Sequence, residues 1–357
     1  MKFTGNIVVL FFFLLAVSPA ETAAQQIIDT AKGLFDTDEP LNITLSGQIN
    51  ELLRDRADIP KLHPVMITYK GRDSNPISVP VEARTRGHFR KLAENCNFPP
   101  LLLQFRKSDS LEASIFRRQK KLKLVMPCQG DNYIVREWLV YKIYNLLTPA
   151  SFRARLVKLN FNDPKSKKEA APFYGFLIEE ERQVAARNNL IIIRKPRRPE
   201  QTRENTFLVM AAFEYLIGNT DWSVQYLQNI NLLAADSNSV PITVPYDFDH
   251  AGLVDASYAK PAEELEIPSI RYRRYRGYCI KDMKQFDSVV VVFNQYKKDI
   301  YKIYSDCPLL DEKYKKSTLK FLDDFYYTIN NPKELQKEFS YPCDPNGTGN
   351  VIIRGLK

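Results

Sequence analysis

Hydrophobic alternation with a period of two dominates residues 41–128 and commits that stretch to antiparallel sheet. The segments "LNITLSGQI" (41–49), "HPVMITYK" (63–70), "ISVPVEARTRG" (77–87) and "PLLLQFRKS" (100–108) put apolar side chains on one face and polar ones on the other. That is the pattern of half-buried strands, and the turn-like "GRDSNP" (71–76) separates two of them. "QKKLKLVMPC" (119–128) is a further short strand. The period then changes. Across Asp131–Leu147, Ile134, Trp138, Tyr141, Ile143 and Leu146 recur mostly every three or four residues, with Asp131 as N-cap, which predicts a helix. "ARLVKLNFND" and "FYGFLIEEE" read as a strand pair around the charged loop "PKSKKEAAP".

Residues 187–204 are basic and punctuated by proline, as in a linker or surface loop. Beyond them, "ENTFLVMAAFEYLIGN" is an apolar helix stopped at Gly218–Asn219. Residues 284–304 and 312–330 are amphipathic helices. The chain is thus α+β, with a β-rich half containing one helix followed by a helix-rich half; the division falls at 25–186 and 187–357.

The first residues, "MKFTGNIVVLFFFLLAVSPAETAAQQ", carry one lysine, an apolar run over 7–17 and then small residues. This is the layout of a secretory signal peptide covering 1–24, and the run is shorter than the about 20 residues a membrane span needs. The expectation is an exported chain, periplasmic or extracellular, with no transmembrane segment after cleavage. Loss of Lys2 and Glu21 leaves the formal charge of +9 in place. A basic exported chain can meet an acidic polymer, an anionic membrane surface or a phosphorylated ligand. Its five cysteines lack metal-ligand spacing and only three histidines are present, which argues against structural zinc. Position along the chain pairs Cys96 with Cys128 and Cys307 with Cys343.

The chemistry concentrates in two stretches, "IGNTDWSVQYLQNINLL" (217–233) and "VPYDFDHAGLV" (244–254). A buried helix ends at Asn219, Asp221 follows in a loop, and Asn229 heads an apolar strand. A second strand ends in Asp247-Phe248-Asp249. Pairing those strands would bring Asp221, Asn229 and Asp247 together as a hard-cation site suited to magnesium with phosphate ligands. The order is that of phosphoryl transfer: an Asp positions the acceptor hydroxyl, an Asn holds metal, and a later Asp bridges metal to phosphates. Asp221 and Asn229 lie eight positions apart, against five in the usual kinase loop. His250 beside Asp249 lacks the further nitrogen ligands of a zinc hydrolase, and no G-x-S-x-G motif occurs. "RYRRYRGY" (271–278) interleaves arginine with tyrosine, as polyanion-binding surfaces do. It reads as an exposed basic loop or a docking surface for an acidic substrate, and export argues against nucleic acid.

These motifs resemble the CotH family of secreted, spore-coat-type atypical kinases. "VEARTRGHFRK", "KKLKLVMP", "DNYIVREWLVYKIY", "FYGFLIEE", "GNTDWSVQYLQNINLL" and "VPYDFDHAGLV" follow the family order over about half of the chain. The resemblance implies a two-lobed protein-kinase-like fold, with a β-rich N-lobe holding one main helix and a mostly helical C-lobe. It implies ATP with Mg2+ or Mn2+ as cofactors. Asp221 would be catalytic, with Asn229, Asp247 and Asp249 toward the metal. Arg84 or Arg86, and Lys123 or Lys121, would face the phosphates, with Glu137 pairing the lysine and Glu180 contacting nucleotide. The acceptor would be a protein or another extracytoplasmic hydroxyl. No G-x-G-x-x-G loop is present. Two non-enzymatic alternatives accompany this reading: a catalytically inactive kinase-like surface module, and a structural binder of cell-surface polyanions.

Overall fold

The computed structural model describes residues 33–341 apart from 72, 168, 169 and 262. The chain does not adopt the expected two-lobed, kinase-like architecture. Among the described residues, seven strands close into a mixed barrel, accompanied by eight α-helices and a separate three-stranded sheet. The barrel strands are β1 (Leu41–Gly47), β2 (His63–Lys70), β3 (Pro76–Thr85), β4 (Leu101–Phe105), β5 (Lys121–Val125), β6 (Ala154–Asn162) and β7 (Phe173–Ile178), in the order β1-β2-β3-β4-β5-β7-β6. Each neighbouring pair is antiparallel except the closing one. There β1 runs parallel to β6, from Leu41↔Val157 to Ser46↔Asn162. Closure leaves the barrel itself without an edge strand.

Alternation decides which side chains fill the barrel. Leu45, Ile67, Val79, Ala83, Leu101, Leu103 and Leu124 are fully buried, while Lys121 and Lys123 alternate outward from Leu122 and Leu124. Seven strands enclose only enough space for side chains. Two short helices, α1 (Ile49–Arg54) and α2 (Asp109–Glu112), sit in the connections.

A larger core lies against the outside of the barrel. It is built from α3 (Asp131–Leu147), α4 (Glu181–Arg187), α5 (Glu204–Ile217), α6 (Asp287–Ser305), α7 (Glu312–Asn330) and α8 (Pro332–Phe339). The three-stranded sheet joins them, with β8 (Ile191–Ile193), β9 (Ile230–Ala234) and β10 (Ile242–Pro245) in the order β10-β9-β8. The basic stretch 187–204 therefore holds a strand rather than a plain linker. Helix α5 is apolar on nearly every side and is buried from Phe207 to Ile217, as a central helix must be. It stops at Gly218, whose φ of +69° opens the left-handed turn. A Cβ there would meet Ile270 O and the Phe321 ring at 3.1 Å, so the position also needs glycine for space.

Cys96 and Cys128 are bridged, as their positions indicated. Cys307 is a free buried thiol and Cys279 is disulfide-bonded, so the expected Cys307–Cys343 pair does not form. Cys343 and the signal segment 1–24 lie outside the described residues. No helix among the described residues is long and apolar enough to cross a membrane. The Cys96–Cys128 bridge closes a loop across a sequence separation of 32. Replacing both cysteines by serine should cost roughly 2–4 kcal/mol, read as a lower midpoint in thermal unfolding; an unchanged midpoint would show the bridge to be dispensable.

Candidate active site

The loop after α5 is held from several directions. Asn219 N–H donates to Glu214 O at 2.8 Å, and Asn219 Oδ1 accepts from Asp221 N–H at 3.0 Å, which turns the Asp221 side chain out of the helix line. Asp221 Oδ1 accepts from Gln228 Nε2 at 2.5 Å. Asn229 Nδ2 donates both to Asp221 O at 2.7 Å and to Asp221 Oδ2 at 3.1 Å. Two acceptor oxygens fix that amide's orientation, so Asn229 Oδ1 is directed away from Asp221. A backbone bridge between Ser223 and Gln228 closes the loop. Asn229 has a φ of +52° and Asp247 a φ of +66°; such left-handed, non-glycine backbone is sparsely populated and concentrates at functional sites.

Pairing of β9 with β10 brings the second stretch alongside, as expected: Pro245 faces Ile230, and Tyr246 N–H donates to Asn229 O at 2.9 Å. Asp247 follows, its N–H donating to Tyr141 OH at 2.9 Å. Phe248 packs against Tyr141 and Phe213 with ring centroids 4.8 and 5.4 Å apart. Lys123 Nζ reaches Asp247 Oδ2 at 3.3 Å. Asp247 Oδ1 is buried without a hydrogen-bond partner. Burial pushes this carboxyl up, but Lys123 and then Arg90 outweigh it and hold the group below the usual carboxylate range.

The other predicted residues divide. Asp249 lies in a buried cluster with Arg90 Nε at 3.5 Å and Tyr258 OH at 3.2 Å. Glu137 belongs to that cluster, paired with Arg90 NH1 at 3.4 Å in place of the expected lysine. Burial pushes the Glu137 carboxyl up to about 8; Arg90 opposes the shift, while Asp249 and Asp247 add to it. Arg84, Leu102, Lys123 and Ile178 are cross-strand neighbours on one barrel face. Lys121 is exposed farther along β5. Glu180 stands at the N-cap of α4, and Glu181 takes the place near the cavity that was expected of it.

That cavity, of about 230 Å3, lies between the barrel wall and the three-stranded sheet. Phe152, Ile178, Ile193, Leu227, Ile230 and Leu232 form its apolar walls. Arg86, Lys123, Glu181, Arg194, Asn231 and Tyr246 supply the polar lining. Arg86 is exposed and makes no ion pair among the described residues. No protein-family model matches the chain, and no curated protein matches it.

For a metal, the donor set is sparse. No group of three or more His, Cys, Asp and Glu side chains placed to hold one occurs among the described residues. Asp247 Oδ1, buried and without a hydrogen-bond partner, is the kind of oxygen a hard cation takes.

The arginine run 271–278 is not an exposed basic loop. Arg273 donates to Leu216 O and stacks on Phe321 at 3.5 Å; Arg271 donates to Gly252 O. Arg276 is buried and donates to Thr220 O at 2.7 Å and to Trp222 O. These guanidiniums satisfy backbone carbonyls at the end of α5 and in the loops beside it. Arg90, Gln228, Glu214 and Arg276 escape sequence reasoning because nothing local distinguishes a buried polar residue from a solvated one; only a charged residue inside an apolar helix, as Glu214 is, leaves a trace.

Proposed function

We propose that this chain is an ATP-dependent phosphotransferase acting on a hydroxyl acceptor. The observation that carries the reading is the Lys123–Asp247 pair beside the cavity, with Asp247 Oδ1 left unpartnered in a buried position. The apolar walls suit a flat heterocycle, and Lys123 with Arg86 suits the phosphates. Asn229 and Asp247 would hold Mg2+, which when bound offsets charge on the phosphate oxygens. Asp221 aligns the acceptor hydroxyl. As that oxygen bonds to the terminal phosphorus and the bond to the ADP oxygen breaks, the hydroxyl proton passes to the Asp221 carboxylate. The motif resemblance to the CotH family supports the same chemistry, independently of the architecture. The export expected from residues 1–24 puts the acceptor, a protein or another hydroxyl compound, outside the cytoplasm.

A second reading, nucleotide binding without transfer, is favoured by one feature: both Asp221 carboxylate oxygens already accept amide hydrogen bonds. Calorimetric titration with ATP, with and without Mg2+, and transfer of label from γ-labelled ATP decide between them. Wild type should bind ATP in a Mg2+-dependent way and label an acceptor. Asp247→Ala should weaken Mg2+-dependent binding at least tenfold. Binding without any labelling supports the second reading, and absence of binding removes both.

A further inference from the structure

Glu214 sits inside α5, one turn before its end, and is 1 % exposed. Neither of its carboxylate oxygens has a hydrogen-bond partner. Asn219 Nδ2 lies close enough to favour the ionised form yet makes no hydrogen bond of normal geometry. Arg276 Nε is likewise buried and unpartnered. An ionised carboxylate in such a place is costly, whereas the neutral acid is tolerated. Burial pushes Glu214 up to about 8, with Asn219 and Arg276 opposing and Asp221 adding to the shift.

The two residues beside this carboxyl also hold the Asp221 loop. Asn219 Oδ1 accepts the Asp221 N–H, and Arg276 NH1 donates to the carbonyls of Thr220 and Trp222. The Arg276 guanidinium also lies 4.8 Å from the Trp222 ring centroid. The titratable groups coupled to Glu214 from neighbouring elements are Tyr144 on α3, Asp221 on the loop and Arg276 on the 271–278 segment.

We propose that Glu214 is a positioning residue for Asp221: as a neutral acid it leaves Arg276 on the loop carbonyls, and on losing its proton it draws Arg276 away and displaces the loop. A buried carboxylate attracts a guanidinium more strongly than two carbonyls do. Ionisation therefore shifts Arg276 from Thr220 and Trp222 toward Glu214.

The catalytic side of this inference rests on the proposed transferase activity; the conformational side does not, and the test separates them. The chain has two tryptophans, so 5-fluorotryptophan labelling gives two fluorine resonances, assigned with Trp138→Phe. The Trp222 resonance should titrate with a midpoint near pH 8 in wild type and stay fixed in Glu214→Gln. A Trp222 resonance that does not titrate, or that titrates equally in Glu214→Gln, overturns the proposal. Should Glu214→Gln fail to fold, Glu214→Met serves in its place, because both remove the titrating group.

In the activity arm, wild-type kcat should fall severalfold between pH 7 and 9 with an unchanged KM for ATP. Glu214→Gln should keep a flat profile. A fluorine titration without any transferase activity removes the proposed function and leaves the loop switch standing. Wild-type activity that is flat with pH, or equal loss of kcat in the variant, removes the catalytic role of Glu214.

Discussion

Asp221→Ala should lower the rate of phosphoryl transfer by roughly 10^3-fold, within the range that a positioned general base contributes, while leaving the affinity for ATP within about twofold. The reason for the split lies in the geometry. Asp221 is on the loop after α5 and does not line the cavity, which is bounded by the barrel wall and the three-stranded sheet. The Asp247 and Lys123 side chains that would meet the phosphates hold each other, and Tyr141 OH accepts from the Asp247 backbone N–H. Truncation also removes two acceptors, leaving Gln228 and Asn229 amides to find new partners. Asp221→Asn keeps one of those oxygens and no basicity, so it should be as slow as the alanine variant but closer to wild type in thermal stability. Initial rates and calorimetric ATP binding measured on both variants check the prediction. A residual rate above one tenth of wild type would assign the proton transfer to another group.

Much of the local structure is legible before folding. The leucines and lysines of "KKLKL" take opposite sides of β5, and the period change at Asp131 marks the start of α3. The stop at Gly218–Asn219 falls where the left-handed turn is. These features depend on side chains within a few residues of one another. Barrel closure does not. It requires β1 to pair in parallel with β6, joining Leu41 to Val157, and strands of a closed barrel show the same alternation as strands of an open sheet. Periodicity therefore supports α+β without fixing the architecture, and a fold taken from motif order alone goes astray.

The candidate site is half legible for a related reason. Asp221 meets Asn229 within the loop, and the β9–β10 hairpin lays Asn229 beside Tyr246, next to Asp247 in the chain; that pairing follows from the two apolar strands. The partner of Glu137 depends on a turn more than forty residues earlier in the chain, where Arg90 folds inward from a stretch that also contains exposed Arg86. The arginine run 271–278 misleads in the opposite direction. Its residues serve as donors to backbone carbonyls that no helix or strand satisfies, a role that composition cannot separate from polyanion binding.

Removing Arg90 should be strongly destabilising. Its side chain is 8 % exposed and faces Glu137 and Asp249 while donating to Tyr258 OH at 3.2 Å. The cluster joins a turn of the barrel, helix α3 and the segment after β10, so its loss acts on the packing between barrel and helices. Arg90→Met keeps the aliphatic volume but strands two buried carboxyls without their cation. Breaking one side of a buried pair costs roughly 3–5 kcal/mol, which corresponds to a fall in unfolding midpoint on the order of 10 °C. The pH dependence carries the sign. Glu137 is already pushed up to about 8 from 4.5, so its unfolded form releases a proton that the folded form retains across that window. Stability from this group is complete below 4.5 and declines as pH rises toward 8. Without Arg90 the folded carboxyl holds its proton still more tightly, and the deficit of Arg90→Met relative to wild type should grow from pH 5.5 to pH 8.5. Glu137→Gln placed in the Arg90→Met background should recover part of the loss and flatten that growth, because it removes the buried group whose proton makes the deficit depend on pH. Thermal unfolding of the wild type, both single variants and the double variant at the two pH values measures the coupling directly. Equal deficits at both pH values, with no recovery in the double variant, would mean that Arg90 contributes packing rather than charge compensation.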